Sequence, residues 1–157
     1  GWTAAFCAFG AVELFVVLQL ALALLPAVWL SDYNDHMELL LSTGLIPALS
    51  IAVAGPLAEE LMFRGVIQTR LEQAMPVWAA VVLQAVLFGV AHGTPIQMAY
   101  AFLIGLALGF LRSRTGSILP GFAAHAAFNA MNDPLGLLSG AGGGWYAPGT
   151  AEDGEAL

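Results

Sequence analysis

Apolar residues fall into five long runs along the chain, and short polar stretches separate each run from the next. Most runs approach or exceed the roughly 20 residues that an α-helix needs to cross the hydrocarbon core of a bilayer. The pattern therefore predicts an all-α fold, a polytopic helical membrane protein with about five transmembrane helices. The predicted helices cover residues 3–30, 39–70, 76–92, 96–111 and 117–132.

Two polar stretches lie outside the membrane in this prediction. Residues 31–38 read SDYNDHME and form an acidic loop between the first two spans. Residues 139–157 are acidic and rich in Gly and show no periodicity, so we expect a disordered tail there. The chain is thus predicted to contain one helical domain, residues 1–138, followed by the tail.

The composition supports placement in a bilayer. The chain is 59% hydrophobic and only 10% charged, whereas soluble domains carry about 25% charged residues. Four Arg, no Lys and a net charge of −7 argue against nucleic acid as a partner, because basic side chains that neutralise phosphates supply most of that affinity. The expected surroundings are membrane lipid.

The basic residues suggest an orientation. Arg64, Arg70, Arg112 and Arg114 are the only basic side chains besides His, and they lie near two predicted turns. Two spans separate these turns, so both turns lie on one membrane face. The positive-inside rule makes that face cytoplasmic. The N-terminus is then predicted to be cytoplasmic, and the acidic loop faces outward.

Three charges interrupt the second apolar run, which is otherwise hostile to charge. Glu60 and Arg64 are spaced i,i+4, the favourable order for an ion pair on one helix face. Glu59 is turned about 100° away by the helical period and is free to face another partner. Pro56, just before them, predicts a kink or the start of a new helix. Charged residues inside a membrane usually face a cavity or the bundle interior and indicate function.

Two later runs each carry one His in a polar pattern. Phe88 precedes His92 by one helical turn, and His125 and Asn129 share one face at i,i+4. Counted along the helices from the arginine-rich face, Glu60, His92 and Asn129 lie at depths of roughly 20–24 Å. We therefore predict that polar side chains from three spans meet in one buried polar site.

A carboxylate, two imidazoles and an amide are suited to activating water beside a polarised carbonyl. We predict that Glu59, assisted by His92, takes a proton from water as a general base. His125 and Asn129 would donate hydrogen bonds to the developing oxyanion. Glu60 is counted with these four among the catalytic residues. Arg64 and Phe88 are supporting residues: Arg64 would anchor Glu60, and Phe88 would shield the site from lipid or water. The pattern thus predicts hydrolysis of a peptide bond in or at the membrane.

The same residues allow a metal-dependent alternative. Glu59, His92 and His125 could bind Zn²⁺ and leave the fourth position to water. The chain lacks H-E-x-x-H, in which two ligands are set on one helix. We favour the route without a cofactor and keep zinc as the alternative.

Three motifs together resemble the CAAX protease and bacteriocin-processing (Abi) family of intramembrane proteases, which includes the type II CAAX prenyl endopeptidases. They are E-E-x-x-x-R, F-x-x-x-H and H-x-x-x-N, and they occur in the family's order. The residues that match them are Glu59, Glu60, Arg64, Phe88, His92, His125 and Asn129.

The resemblance implies a helical membrane protease whose site opens to the cytoplasmic side. It implies a substrate that is membrane-associated: a prenylated CAAX-like protein or a bacteriocin-type peptide. It also implies Glu59 as the base with His92, and His125 with Asn129 around the oxyanion. The alternatives are a non-catalytic membrane immunity or partner protein of the same fold, and a proton-coupled transporter that uses Glu59 and His92 as a relay.

Overall fold

The computed structural model describes residues 45–131, together with positions 16, 17, 20, 21 and 24. The acidic loop 31–38 and the predicted tail 139–157 lie outside the described residues, as does most of the predicted first span. Residues 45–131 are entirely helices and turns, without a strand, as the all-α prediction requires. They form four helices: α1 at Leu45–Ala74, α2 at Val77–Val90, α3 at Pro95–Thr115 and α4 at Leu119–Met131.

Two of these helices are long and apolar enough to cross a membrane. They are α1, with 30 residues, and α3, with 21 residues. The helix α2 is apolar but shorter, with 14 residues. The predicted count of five spans stays a prediction, because it depends in part on residues outside the described ranges.

The helix α1 is continuous through Pro56, but its hydrogen-bond pattern changes along its length. A proline ring collides with the carbonyl four residues before it in a regular α-helix. The turn before Pro56 is wider: the Gly55 N–H donates to the Ser50 carbonyl, five residues earlier. A second, longer π-helical stretch begins just after Glu59 and carries Glu60 and Arg64, and such stretches occur often at functional sites. The two π-helical parts are Ser50–Ala54 and Glu60–Gln68.

Short turns connect successive helices, so neighbours run in opposite directions. Gly93, with φ of +80°, lies in the α2–α3 turn, and Gly116, with φ of +68°, ends α3. Thr94 begins α3 by accepting a hydrogen bond from the Gln97 N–H at 3.3 Å. The predicted loop at 112–116 is wrong in its extent, because α3 remains helical to Thr115. Arg at a helix C-terminus is favoured by the helix dipole, so the basic residues extend α3 rather than end it.

The core lies between the helices and beneath the π-helical part of α1. It consists of Phe63, Phe88, Ala101, Ile104, Leu108 and Phe128. The helices α2 and α3 pack closely because Gly105 has no side chain: a Cβ there would lie 3.0 Å from Ala85 Cα. Large apolar side chains such as Ile46 and Trp78 point outward, exposed by 80% and 72%. Burial in lipid suits this surface.

Candidate active site

A cavity of about 160 Å³ opens between the four helices. Its polar lining comes from every helix or turn that carries a predicted motif. The remaining wall is apolar and is supplied mainly by the first half of α3 and the end of α4. The lining residues are Ile51, Glu59, Phe88, His92, Gln97, Tyr100, Ala101, Ile104, His125, Phe128 and Asn129.

Behind the cavity, α1 holds a fully buried ion pair. Arg64 Nη1 lies 2.9 Å from Glu60 Oε1, and both side chains are 0% exposed. Arg64 Nη2 reaches the Gly105 carbonyl of α3 at 3.4 Å. The Arg64 guanidinium carbon lies 4.3 Å from the centre of the Phe88 ring on α2, a cation–π contact. One guanidinium thus connects three helices.

Glu60 also orients the histidine of α4. His125 Nδ1 lies 3.2 Å from Glu60 Oε1, so the imidazole donates to the same oxygen that Arg64 contacts. The other oxygen, Glu60 Oε2, has no hydrogen-bond partner and faces Gly121, where a Cβ would lie 2.9 Å away. Glu60 therefore lies behind the cavity wall, where it binds Arg64 and His125. Gly121 leaves room for the Glu60 side chain.

Glu59 faces the cavity instead. Its side chain is 36% exposed, and its Oε2 lies 3.6 Å from His125 Nε2. That separation is longer than a hydrogen bond, so Nε2 is close to Glu59 without being bonded to it. The two ring nitrogens of His125 thus face two different carboxylates, one buried and one in the cavity. Adjacent positions on α1 give the two glutamates these separate surroundings.

His92 lies just after α2 and is fixed by its own helix. Its Nδ1 is 2.8 Å from the Phe88 carbonyl, which can only accept a hydrogen bond. Nδ1 therefore carries a proton, and Nε2 is the nitrogen left for chemistry. The Phe88 ring contacts the His92 ring edge-on, with centroids 4.6 Å apart. It also lies 5.7 Å from the His125 ring, so Phe88 separates the two imidazoles.

Asn129 is held by a bond across the bundle. Its Nδ2 donates to the Ile51 carbonyl of α1 at 3.1 Å. A side-chain amide has two N–H groups, so this bond orients the group and leaves a second donor. The bond falls in the π-helical turn before Pro56, where α1 lacks regular α-helical pairing.

The structure brings all seven motif residues together. Glu59, Phe88, His92, His125 and Asn129 line the cavity, whereas Glu60 and Arg64 lie behind His125. Three lining residues, Ile51, Gln97 and Tyr100, are not part of any of the three motifs. Gln97 and Tyr100 are polar residues in the first turns of a membrane helix, which is a usable signal. Ile51 carries no such signal in the sequence, because it binds Asn129 through its backbone carbonyl.

The cavity lies towards one end of the bundle. Its residues come from the end of α2, the beginning of α3 and the second half of α4. Arg70, Arg112 and Arg114 lie at the other end, where the α1–α2 and α3–α4 turns are. The predicted cytoplasmic position of the arginines and the predicted cytoplasmic opening of the site therefore refer to opposite ends of these four helices.

The metal-dependent alternative stays a prediction. Among the residues that the structure describes, no three His, Cys, Asp or Glu are grouped as a metal site requires. His125 Nδ1 is bound to Glu60, and its Nε2 faces Glu59. His92 Nδ1 is bound to the Phe88 carbonyl, so each imidazole has Nε2 left, and one nitrogen is what a histidine uses to bind a metal. We derive no step that uses a metal.

Comparison with known proteins gives one family. The model of the family described as "Type II CAAX prenyl endopeptidase Rce1-like" matches residues 41–131, more than half of the chain. Searches of curated proteins and of solved structures gave no significant match. The matched range contains all seven motif residues and the four described helices. The family match and the two long apolar helices together indicate an integral membrane protein. The chain therefore belongs to the Rce1-like family of type II CAAX prenyl endopeptidases.

Proposed function

We propose that this protein is an intramembrane endopeptidase that cleaves a membrane-associated peptide, of the prenylated CAAX type or the bacteriocin type. The observation that carries the proposal is the shared cavity. Glu59, His92, His125 and Asn129 come from three separate parts of the chain and line one space. Each polar group inside an apolar bundle is unfavourable in free energy. A shared role in catalysis explains why four such groups are present at one place.

The first step is activation of water. Glu59 is the exposed carboxylate of the cavity and acts as the general base, because Glu60 is held by Arg64 and His125. His92 Nε2 hydrogen-bonds the same water, since its Nδ1 is occupied by the Phe88 carbonyl. The water oxygen forms a bond to the peptide carbonyl carbon, and its proton passes to Glu59.

The second step is support of the tetrahedral intermediate. His125, with a proton on both ring nitrogens, donates through Nε2 to the oxygen that was the peptide carbonyl. The second N–H of Asn129 donates to the same oxygen. Glu60 fixes His125 through Nδ1, and the Ile51 carbonyl fixes Asn129, so both donors are oriented before the substrate arrives. The C–N bond then breaks, and Glu59 returns the proton to the leaving amine.

The cavity has an apolar wall that would accommodate an apolar substrate side chain next to the bond that is cleaved. Ala101, Ile104 and Phe128 form a buried apolar wall opposite the polar groups. An aliphatic side chain placed there would displace water and hold the peptide carbonyl near His125 and Asn129. This wall would fit either substrate class.

The test is cleavage of a fluorogenic prenylated peptide and of an unprenylated membrane peptide by the protein in detergent or liposomes. We expect wild-type cleavage of at least one substrate and its loss in Glu59→Ala and His92→Ala. Glu72→Gln is the matched control, because Glu72 lies on α1 but outside the cavity, bonded to Gln68 and Ser113. Circular dichroism checks that each variant is folded.

The outcomes separate the protease from the partner-protein alternative. If Glu59→Ala cleaved as fast as wild type, Glu59 would not be the base. If wild type cleaved neither substrate, yet Glu59→Gln kept biological protection against a bacteriocin, the non-catalytic immunity function would replace our proposal.

A further inference from the structure

Two glutamines are fully buried in the bundle next to the ion pair. Gln68 lies on α1 and Gln84 on α2, and both are 0% exposed. Each has a side-chain oxygen without a hydrogen-bond partner, Gln68 Oε1 and Gln84 Oε1. Buried polar groups with an unmet hydrogen bond are destabilising. Neither residue lines the cavity or belongs to a motif identified in the sequence, so their presence needs an explanation.

The two amides bind different carbonyls of α3. Gln84 Nε2 donates to the Gly105 carbonyl at 2.7 Å, and Gln68 Nε2 donates to the Gly109 carbonyl at 3.0 Å. The Gly105 carbonyl is also the acceptor that Arg64 Nη2 contacts at 3.4 Å. The Gly109 carbonyl has no contact with the ion pair. The two glutamines also differ in their other bonds: Gln68 Nε2 donates to Glu72 and Ser113, and Gln84 Nε2 donates to the Val81 carbonyl. The difference that concerns the site is the link from Gln84 to Arg64 through the Gly105 carbonyl.

We propose that Gln84 is a positioning residue for the catalytic site, acting on Arg64 through the Gly105 carbonyl. This inference rests on the proposed protease function. The path has three steps. Gln84 binds the Gly105 carbonyl, and that carbonyl binds the Arg64 guanidinium. Arg64 also binds Glu60, and Glu60 in turn binds His125. Without Gln84, Arg64 and Glu60 can shift, and His125 Nε2 leaves the oxyanion position.

The packing of α2 against α3 gives this path little freedom. Gly105 stays within contact distance of Ala85 and Phe88, the residues next to Gln84 and one turn after it. Phe88 in turn lies against the Arg64 guanidinium. The Gly105 carbonyl of α3 and the Phe88 ring of α2 therefore both contact Arg64, and the Gln84 amide binds that carbonyl. Small shifts at a reacting centre have large effects on rate, about 100-fold for 1 Å.

A structural role makes a different prediction from a positioning role. Gly105 lies inside α3, so its carbonyl keeps a helical N–H partner when the Gln84 amide is removed. Replacement by Met, of similar length, also removes the unpaired oxygen. We therefore expect Gln84→Met to unfold at a temperature equal to or above that of wild type. If the Gln84 bond mainly held α2 and α3 together, the unfolding temperature would fall instead.

The experiment measures kcat, KM and the unfolding temperature of wild type, Gln84→Met and Gln68→Met on the substrate that wild type cleaves. We expect kcat of Gln84→Met to fall about 10-fold or more, with KM within about two-fold of wild type. Gln68→Met is the matched control, and its kcat should stay within about two-fold, because the Gly109 carbonyl does not contact Arg64.

Each other outcome overturns the inference. Equal losses of kcat in both variants would assign both glutamines to general packing, as would a clearly lower unfolding temperature for Gln84→Met. An unchanged kcat in Gln84→Met, with wild type active, would remove Gln84 from the site and leave the protease function intact. A wild type that cleaves nothing would refute the protease function and this inference together.

Discussion

Arg64 Nη1 and Glu60 Oε1 lie 2.9 Å apart, and neither side chain is exposed to any degree. A charge pair this deep is retained only with further hydrogen bonds, because removing two ions from water is expensive. Arg64 also contacts the Gly105 carbonyl and the Phe88 ring. Glu60 also accepts a hydrogen bond from His125. The pair therefore joins all four described helices at one point, directly behind the cavity.

Removing one member of this pair should be much worse than removing both. Arg64→Met leaves Glu60 as a buried charge, so we expect a loss of about 3–5 kcal/mol in the free energy of unfolding. The double variant Arg64→Met with Glu60→Gln leaves no buried charge and should recover part of that loss. Unfolding in a denaturing detergent measures both. A double variant less stable than Arg64→Met would contradict this reasoning.

Activity should not recover with stability. Both variants lack the carboxylate–arginine pair that orients His125, so kcat should stay low in the double variant. An active and stable double variant would show that His125 is placed by packing against Phe88 alone, whose ring lies 5.7 Å away.

The sequence was sufficient for the contacts that follow from helical spacing. Glu60 and Arg64 are four residues apart, and the predicted pair is present in the structure. The spacing of Glu59 from Glu60 predicted that the two carboxylates point in different directions, and they lie against different nitrogens of the same His125 ring. Equal depth along the helices predicted that the motif residues lie near one another. In the structure His92, His125 and Asn129 line the cavity, and Glu60 lies behind it. These arguments use only the helical period and the apolar boundaries.

Other contacts could not be predicted, because they depend on how the helices pack. Asn129 binds the Ile51 carbonyl, and Arg64 contacts the Gly105 carbonyl. A backbone acceptor leaves no mark on the sequence. Gly105 and Gly109 are spaced i,i+4, but that spacing does not show that their carbonyls accept hydrogen bonds from Gln84 and Gln68. The π-helical stretch Glu60–Gln68 was missed as well, since residue types do not distinguish it from an α-helix.

Metal chelation should leave activity unchanged. In our proposal Glu59 acts as the base and His125 and Asn129 donate to the oxyanion, so no step requires a metal. We expect 1,10-phenanthroline to reduce cleavage less than two-fold when an enzyme known to require zinc is inhibited in a parallel sample. Stoichiometric zinc in the purified protein, lost together with activity and restored with it, would establish Glu59, His92 and His125 as ligands instead.

The orientation of the bundle can be measured with single cysteines. Gln73 is exposed near the arginine-rich end, and Ala91 is exposed in the turn at the cavity end. In a Cys7→Ser background, the positive-inside rule predicts that Gln73→Cys reacts with an impermeant thiol reagent only from the cytoplasmic side. Ala91→Cys should react only from the opposite side. The reverse labelling would place the cavity end at the cytoplasm, as the family resemblance implies for substrate access.

A methyl group at Gly121 should disturb the site without touching a cavity residue. A Cβ there would lie 2.9 Å from Glu60 Oε2, closer than real Cβ contacts come. Glu60 cannot move away freely, because Arg64 and His125 hold its other oxygen. We expect Gly121→Ala to lower the free energy of unfolding by about 1–3 kcal/mol through overpacking, and to lower kcat through the displaced His125.

The control for this variant is a second glycine beside the same glutamate. At Gly65 a Cβ would lie 3.8 Å from the Glu60 backbone oxygen, an ordinary contact. Gly65→Ala should be neutral or more stable by up to about 1 kcal/mol, because Ala restricts the unfolded chain. Its cleavage rate should match wild type. Equal behaviour of the two variants in unfolding and cleavage would mean that Glu60 tolerates displacement, and that its position does not control His125.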